Sequence, residues 1–130
     1  MYSVESGSGG MCRLWKSLHK WVFEKYDRFS NELGYTNWKL ASENTFGIFQ
    51  MDGDAFYHAT QLQSGEWTVW NDGWGDPPYA FQVFSTWAEA ITHLRILFEE
   101  SQLPESHWRP EGFDVGEDVF LKEPDREKML

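Results

Sequence analysis

The chain predicts an α+β fold: an N-terminal amphipathic helix, a three- to four-stranded antiparallel meander, a second helix and an acidic C-terminal segment. Three observations predict it. Short aromatic runs between Phe46 and Phe84 are broken at Asp52-Gly53 and Ser64-Gly65, a small polar residue and a glycine between alternating apolar positions; this is the strongest short-range hairpin signal. Before them, apolar residues recur every three or four positions, the period of a helix with one buried face. After them, Thr86-Trp87-Ala88-Glu89 opens a second run of that period with the spacing of a capping box.

In chain order, residues 1–10 end in Ser-Gly-Ser-Gly-Gly and predict a disordered N-terminus. A single α+β domain is expected over 11–121, and a mobile charged tail over 122–130. The first helix presents Met11, Leu14, Trp15, Leu18, Trp21, Val22, Phe29 and Leu33 on one side and closes at Gly34. Its basic residues, Arg13, Lys16, Lys20, Lys25 and Arg28, read as a solvated face. Residues 35–44 form a polar connection around Trp38. Strands are expected over 45–51, 54–62 and 66–71. Type I′ loops of two residues between them set a register. That register puts Phe49, Met51, Phe56, His58, Thr60, Leu62, Trp67 and Val69 on one face. The other face takes Phe46, Ile48, Tyr57, Ala59, Gln61, Thr68 and Trp70. Neither face is polar, so either helices cover both or one is a binding surface. Residues 79–84 predict a fourth strand. The second helix buries Trp87, Ala90, Ile91, Leu94 and Leu97 and stops before Pro104. Val119-Phe120-Leu121 is a candidate short edge strand.

Composition narrows the function classes. Net charge is −10, from 21 acidic and 11 basic side chains. Such a field repels nucleic-acid phosphates and anionic lipid and attracts basic partners. Direct nucleic-acid binding and membrane association are therefore not expected, and no apolar run approaches the roughly 18 residues of a spanning helix. The single cysteine, Cys12, excludes an intramolecular disulfide and a cysteine-based metal cage. It fits a reducing, cytoplasmic setting. Eight Trp, ten Phe and five Tyr in 130 residues are more large rings than so small a core encloses, which predicts that some lie at contact surfaces.

Catalytic motifs are missing from the sequence. There is no phosphate-binding glycine loop, nucleophile elbow or His-Glu-x-x-His pair. His19, His58, His93 and His107 fall singly on different elements. The expected register sets His58 beside Asn71 as a structural histidine. Cys12 lies at the start of the first helix, where the helix dipole could lower a thiol pKa, but no histidine partner for it is evident in the sequence. No catalytic residue, metal ligand or cofactor is predicted.

One cluster stands out. In an antiparallel meander the first and third loops share an end of the sheet, which gathers Asp52, Asp54, Asn71, Asp72 and Asp76 with Trp74, Pro77, Pro78 and Tyr79. Asp-Gly and Asn-Asp-Gly are ordinary turn chemistry. The same carboxylates can ligate a hard cation, although their spacing is not that of the twelve-residue calcium loop, or act as the acid pair of a glycosidase. As a protein-recognition patch, Trp70, Trp74 and Tyr79 would anchor a partner, and Asp52, Asp54, Asp72 and Asp76 would steer it.

The expected function is that of a non-catalytic acidic inhibitor that blocks a basic, nucleic-acid-handling protein, with a toxin or nuclease as the candidate partner. In size, charge and lack of catalytic motif the design resembles small acidic immunity proteins that neutralise toxin nucleases, and phage-encoded inhibitors of host defence. No family residues carry over from that resemblance. The alternatives are a small-molecule or carbohydrate-binding module using loop 70–79, and a carboxylate-based hydrolase. The chain is expected to act as a monomer or homodimer.

Overall fold

A computed structural model describes residues 24–73 and 75–128. Readings that fall on 1–23, Trp74 and 129–130, including Cys12, His19 and the first turns of the N-terminal helix, lie outside the described residues. The fold is α+β, with a four-stranded antiparallel meander in the order β1-β2-β3-β4. Helix α1, over 24–32, leads through α2 (Trp38–Ser42) into β1 (Thr45–Gln50), β2 (Phe56–Gln61), β3 (Trp67–Asn71) and β4 (Phe81–Phe84). Helix α3 (Trp87–Glu100) follows, then a largely irregular segment with 3-10 turns at Glu105–His107 and Arg126–Lys128.

Helix ends follow local chemistry. At the end of α1, Gly34 has φ +92°. The Gly34 amide donates to Asn31 O and the Tyr35 amide to Ser30 O, the two bonds of a Schellman cap. Asn37 caps α2 by accepting from the Leu40 amide, so the expected polar connection is in part a short helix. Thr86 Oγ1 accepts from the Glu89 amide, and Glu89 Oε1 accepts from Ser85 rather than from Thr86 itself. Helix α3 buries Trp87, Ala90, Ile91, Leu94 and Phe98, while Leu97 is only half-buried.

Both hairpin loops differ from the expected type. Met51 donates to Ala55 O and Leu62 to Glu66 O, so the loops are three residues each, 52–54 and 63–65. Only the glycine takes positive φ in each, +75° at Gly53 and +94° at Gly65, whereas a type I′ turn needs two such residues in succession. At the second loop the Gly65 amide also donates to Leu62 O, a turn followed by a left-handed glycine.

The extra residue moves the register by one, and a one-residue slip exchanges faces. Trp67 pairs with Gln61, Val69 with Ala59 and Trp70 with His58. Trp67 and Val69 therefore share a face with Ala59, not with His58 and Thr60. A bulge at Ile48, between the Gly47–His58 and Phe49–Tyr57 pairs, turns both Ile48 and Phe49 into the core.

Helices cover both faces. On one, Phe46, Ile48, Phe49, Ala59, Trp67 and Val69 pack against α3. On the other, Trp70, Tyr79 and Phe81 pack against Phe29 of α1, Leu33 and Tyr35 just after it, and Trp38 and Ala41 of α2. The edge of β1 is capped from afar: Arg109 donates to Ile48 O and Glu111 to Gly47 O, with a bridge between Phe49 and Trp108. Val119–Leu121 is not the edge strand. It is turn-like, and Val119 O accepts the Trp87 indole N–H at 2.7 Å.

The described part of the segment expected to be mobile touches the body at several points. Pro124 is buried and Asp125 donates to Gly112 O at 2.9 Å. Arg126 reaches Asn44 and Gln61, and Lys128 pairs with Asp114 and Glu117.

Candidate functional site

The first and third loops do share one end of the sheet. Pairing of Tyr57 with Asn71 brings Asp72 beside the start of β2, where its Oδ1 accepts the Phe56 amide at 2.8 Å. Asn71 Oδ1 accepts from the Gly73 amide, folding the chain back as an Asx turn. Tyr79 OH donates to Gly75 O at 2.9 Å and pins the far side of the loop. Asp52, Asp54 and Asp72 open onto one shallow depression of about 400 Å³, together with Tyr26 and Tyr79.

Six of the seven expected site residues fall into three groups. Asp52, Asp54 and Asp76 are exposed and make no ion pair among the described residues. Asp72 is partly buried and paired, its Oδ2 lying 3.1 Å from His58 Nε2. Trp70 and Tyr79 are 3% and 8% exposed and stack on each other at 5.3 Å inside the α1 side of the core. Their rings hold the fold together and are not available as exposed anchors. Trp74 is outside the described residues.

Burial pushes the Tyr79 phenol upward, and Tyr26 with the charges of Asp72 and Asp76 raises it further; it stays neutral throughout the physiological range. Burial also pushes Asp72 upward. Hydrogen bonds from His58 and the Phe56 amide, with the attraction of His58, outweigh that and hold its carboxyl below the ordinary value. The stabilisation from Asp72 is thus fully present above the reference value of 3.8 and is lost as pH falls through the lower folded value. Urea midpoints measured from about pH 5 down to about pH 2.5 are expected to fall less steeply in Asp72→Asn than in the parent. Parallel curves would contradict the assignment.

A second concavity adjoins the first, since Tyr26 and Asp72 line both. It measures about 200 Å³ and is bounded by α1, α2, β1 and β2. His58 is stacked on Trp70 at 4.4 Å, not set beside Asn71. Sequence reasoning missed Glu111, whose Oε1 accepts the Gly47 amide at 2.6 Å. Its only local signal is an acidic residue in an acidic segment, and a contact across 64 positions leaves no periodicity to read. Asn37 before an apolar run is a cap signal that would have placed Trp38 on a helix.

The hydroxyls of this second concavity are committed to structure. Ser42 Oγ donates to Lys39 O, and Thr45 Oγ1 donates to Ala41 O and meets Thr60 Oγ1 at 2.7 Å. Neither is aimed at His58 as a nucleophile would be. Among the described residues no three His, Cys, Asp or Glu side chains converge to hold a metal ion, and no helix is long and apolar enough to cross a membrane. The chain matches no protein-family model, no curated protein and no solved structure.

Proposed function

We propose that this chain is a non-catalytic, acidic binding protein that acts in the cytoplasm by blocking a basic protein, of the kind whose cleft handles nucleic acid. The observation that carries the reading is the state of the carboxylates at one end of the sheet. Some acidic groups elsewhere have cationic neighbours, Glu99 and Glu105 at Arg95 and Asp114 and Glu117 at Lys128; at this end Asp52, Asp54 and Asp72 gather around one depression. Asp52, Asp54 and Asp76 are exposed and uncompensated among the described residues. Uncompensated surface carboxylates cost little in water and supply a field that steers a cationic surface into register. A positive nucleic-acid-binding cleft meets such a surface as it meets phosphate.

Two features favour binding over catalysis or sugar recognition. His58 is oriented by Asp72, yet the nearby hydroxyls are tied to backbone oxygens. The rings of Trp70 and Tyr79, which a carbohydrate module would lay against sugar, are buried among themselves.

The test is affinity capture from native lysate at low and at high salt, using the parent chain and Asp52→Asn/Asp54→Asn/Asp76→Asn side by side. A basic protein is expected on the parent at low salt, released at high salt and largely missing from the triple variant. Exposed charges are screened over about 10 Å at 0.1 M salt, so retention that ignores salt and survives the triple change would contradict the reading.

A further inference from the structure

We propose that the 200 Å³ concavity beside the acidic end receives the guanidinium of an arginine side chain presented by the basic partner. The inference rests on the binding function proposed above and names the group that the site recognises. Three properties of the lining point to this ligand. The first is charge. Asp72 and Glu111 both face the space with His58 as the only basic side chain among the described residues of the lining, so the net charge of those residues is negative even when the imidazole is protonated. An anion is thereby disfavoured and a cation favoured. The second is an unused acceptor. Glu111 spends Oε1 on the Gly47 amide, and its Oε2 accepts no hydrogen bond from the described residues. A carboxylate already positioned by one backbone bond is a ready acceptor for a charged N–H group.

The third property is the aromatic wall. Tyr26 and Trp38 meet at 5.0 Å between ring centroids, and His58 lies stacked over Trp70. Flat, delocalised and weakly hydrated, a guanidinium stacks on such surfaces more readily than a compact ammonium. The chain itself uses that chemistry elsewhere: the Arg95 guanidinium lies 5.0 Å from the ring centres of both Phe98 and Trp108 while held by Glu105. Volume limits the ligand to one side chain. Position supplies the link to the acidic end, because Tyr26 and Asp72 line both concavities. A basic surface drawn to Asp52 and Asp54 is therefore poised to insert one arginine next door.

The probe is a capped arginine, N-acetyl-arginine amide, titrated into the full chain and followed by amide and indole resonances. N-acetyl-citrulline amide, of nearly the same shape and uncharged, is the control. Capped arginine is expected to shift Gly47, Trp38, His58 and Trp70 together with a single saturable affinity, and capped citrulline to leave them still. Glu111→Gln keeps a carbonyl oxygen for the Gly47 amide and removes the charge; it is expected to weaken the capped arginine about tenfold or more. An unchanged affinity in that variant, equal shifts from citrulline, or shifts confined to residues 52–54 would each overturn the inference. The capture experiment on the Asp52, Asp54 and Asp76 variant is independent of this titration. Failure here with retention of a salt-sensitive partner there removes the arginine pocket and leaves the binding function in place.

Discussion

Replacing Trp67 by alanine is expected to lower stability by about 3–5 kcal/mol. Trp67 is 1% exposed and sits at the centre of the α3 side of the core. Its ring lies 4.7 Å from Trp87 edge-on and 6.0 Å from Phe46. Truncation removes the transfer energy of the indole and leaves a cavity that the rigid sheet behind it cannot close. Trp67→Phe separates volume from polarity. The indole N–H of Trp67 is buried and meets no acceptor among the described residues, so phenylalanine gives up no hydrogen bond and relieves an unsatisfied donor. Urea unfolding of the two variants is expected to place Trp67→Phe well above Trp67→Ala. Equal losses would mean that a phenyl ring does not fill the site, contradicting the cavity account.

Gly112→Ala is expected to cost about 2–6 kcal/mol, from two sources that add. The residue has φ +93°, where an L side chain is strained, and the added Cβ would stand 2.6 Å from Pro124 Cβ, 3.0 Å from the Asp125 amide nitrogen and 3.1 Å from Phe46. Two of these neighbours belong to the proline ring and backbone of the closing segment, and the third is a core ring. None yields as a long surface side chain would. The segment at 124–125 must back away, breaking the Asp125–Gly112 hydrogen bond, or Phe46 must leave its site. Gly116 provides the control: its φ is +91° with open space around the missing Cβ. Gly116→Ala should therefore show only the conformational part, about 1 kcal/mol. Hydrogen exchange at Asp125 is expected to rise in Gly112→Ala and to stay unchanged in Gly116→Ala.

What could be read in the chain and what could not divide along the range of the interactions. Helix α3 was legible because its information is local: Thr86 and Glu89 sit three apart, and Trp87, Ala90, Ile91 and Leu94 repeat at the helical period. The order of the first three strands was legible because tight loops connect them; the longer connection from Asn71 to Phe81 carried no such signal for the place of β4. Loop length was not. Asp-Gly and Ser-Gly suit both two- and three-residue connections, and the choice turns on how the flanking strands twist. That single residue placed Trp67 with His58 instead of with Ala59 and set His58 beside Asn71 instead of on Trp70. The bulge at Ile48 was equally hidden, since Phe46-Gly47-Ile48-Phe49 reads as an unbroken run.

The acidic end was found despite the wrong register, because alternate loops of a meander share an end whatever the pairing. Asp52, Asp54 and Asp72 accordingly line one depression. The burial of Trp70 and Tyr79 was not foreseen, because ring count says that some aromatics are exposed without saying which. The Glu111–Gly47 contact and the docking of Arg126 on Asn44 and Gln61 depend on where an irregular segment returns, and no local rule governs that.

The most direct test of the proposed function is the ionic-strength dependence of the association rate between this chain and the basic protein it captures. Electrostatic steering predicts a rate for the parent that falls steeply with salt. In the triple variant Asp52→Asn/Asp54→Asn/Asp76→Asn the low-salt rate is expected to drop by about tenfold or more and the salt slope to flatten. If the triple variant associates as fast as the parent, with the same slope, the acidic end of the sheet is not where the partner docks.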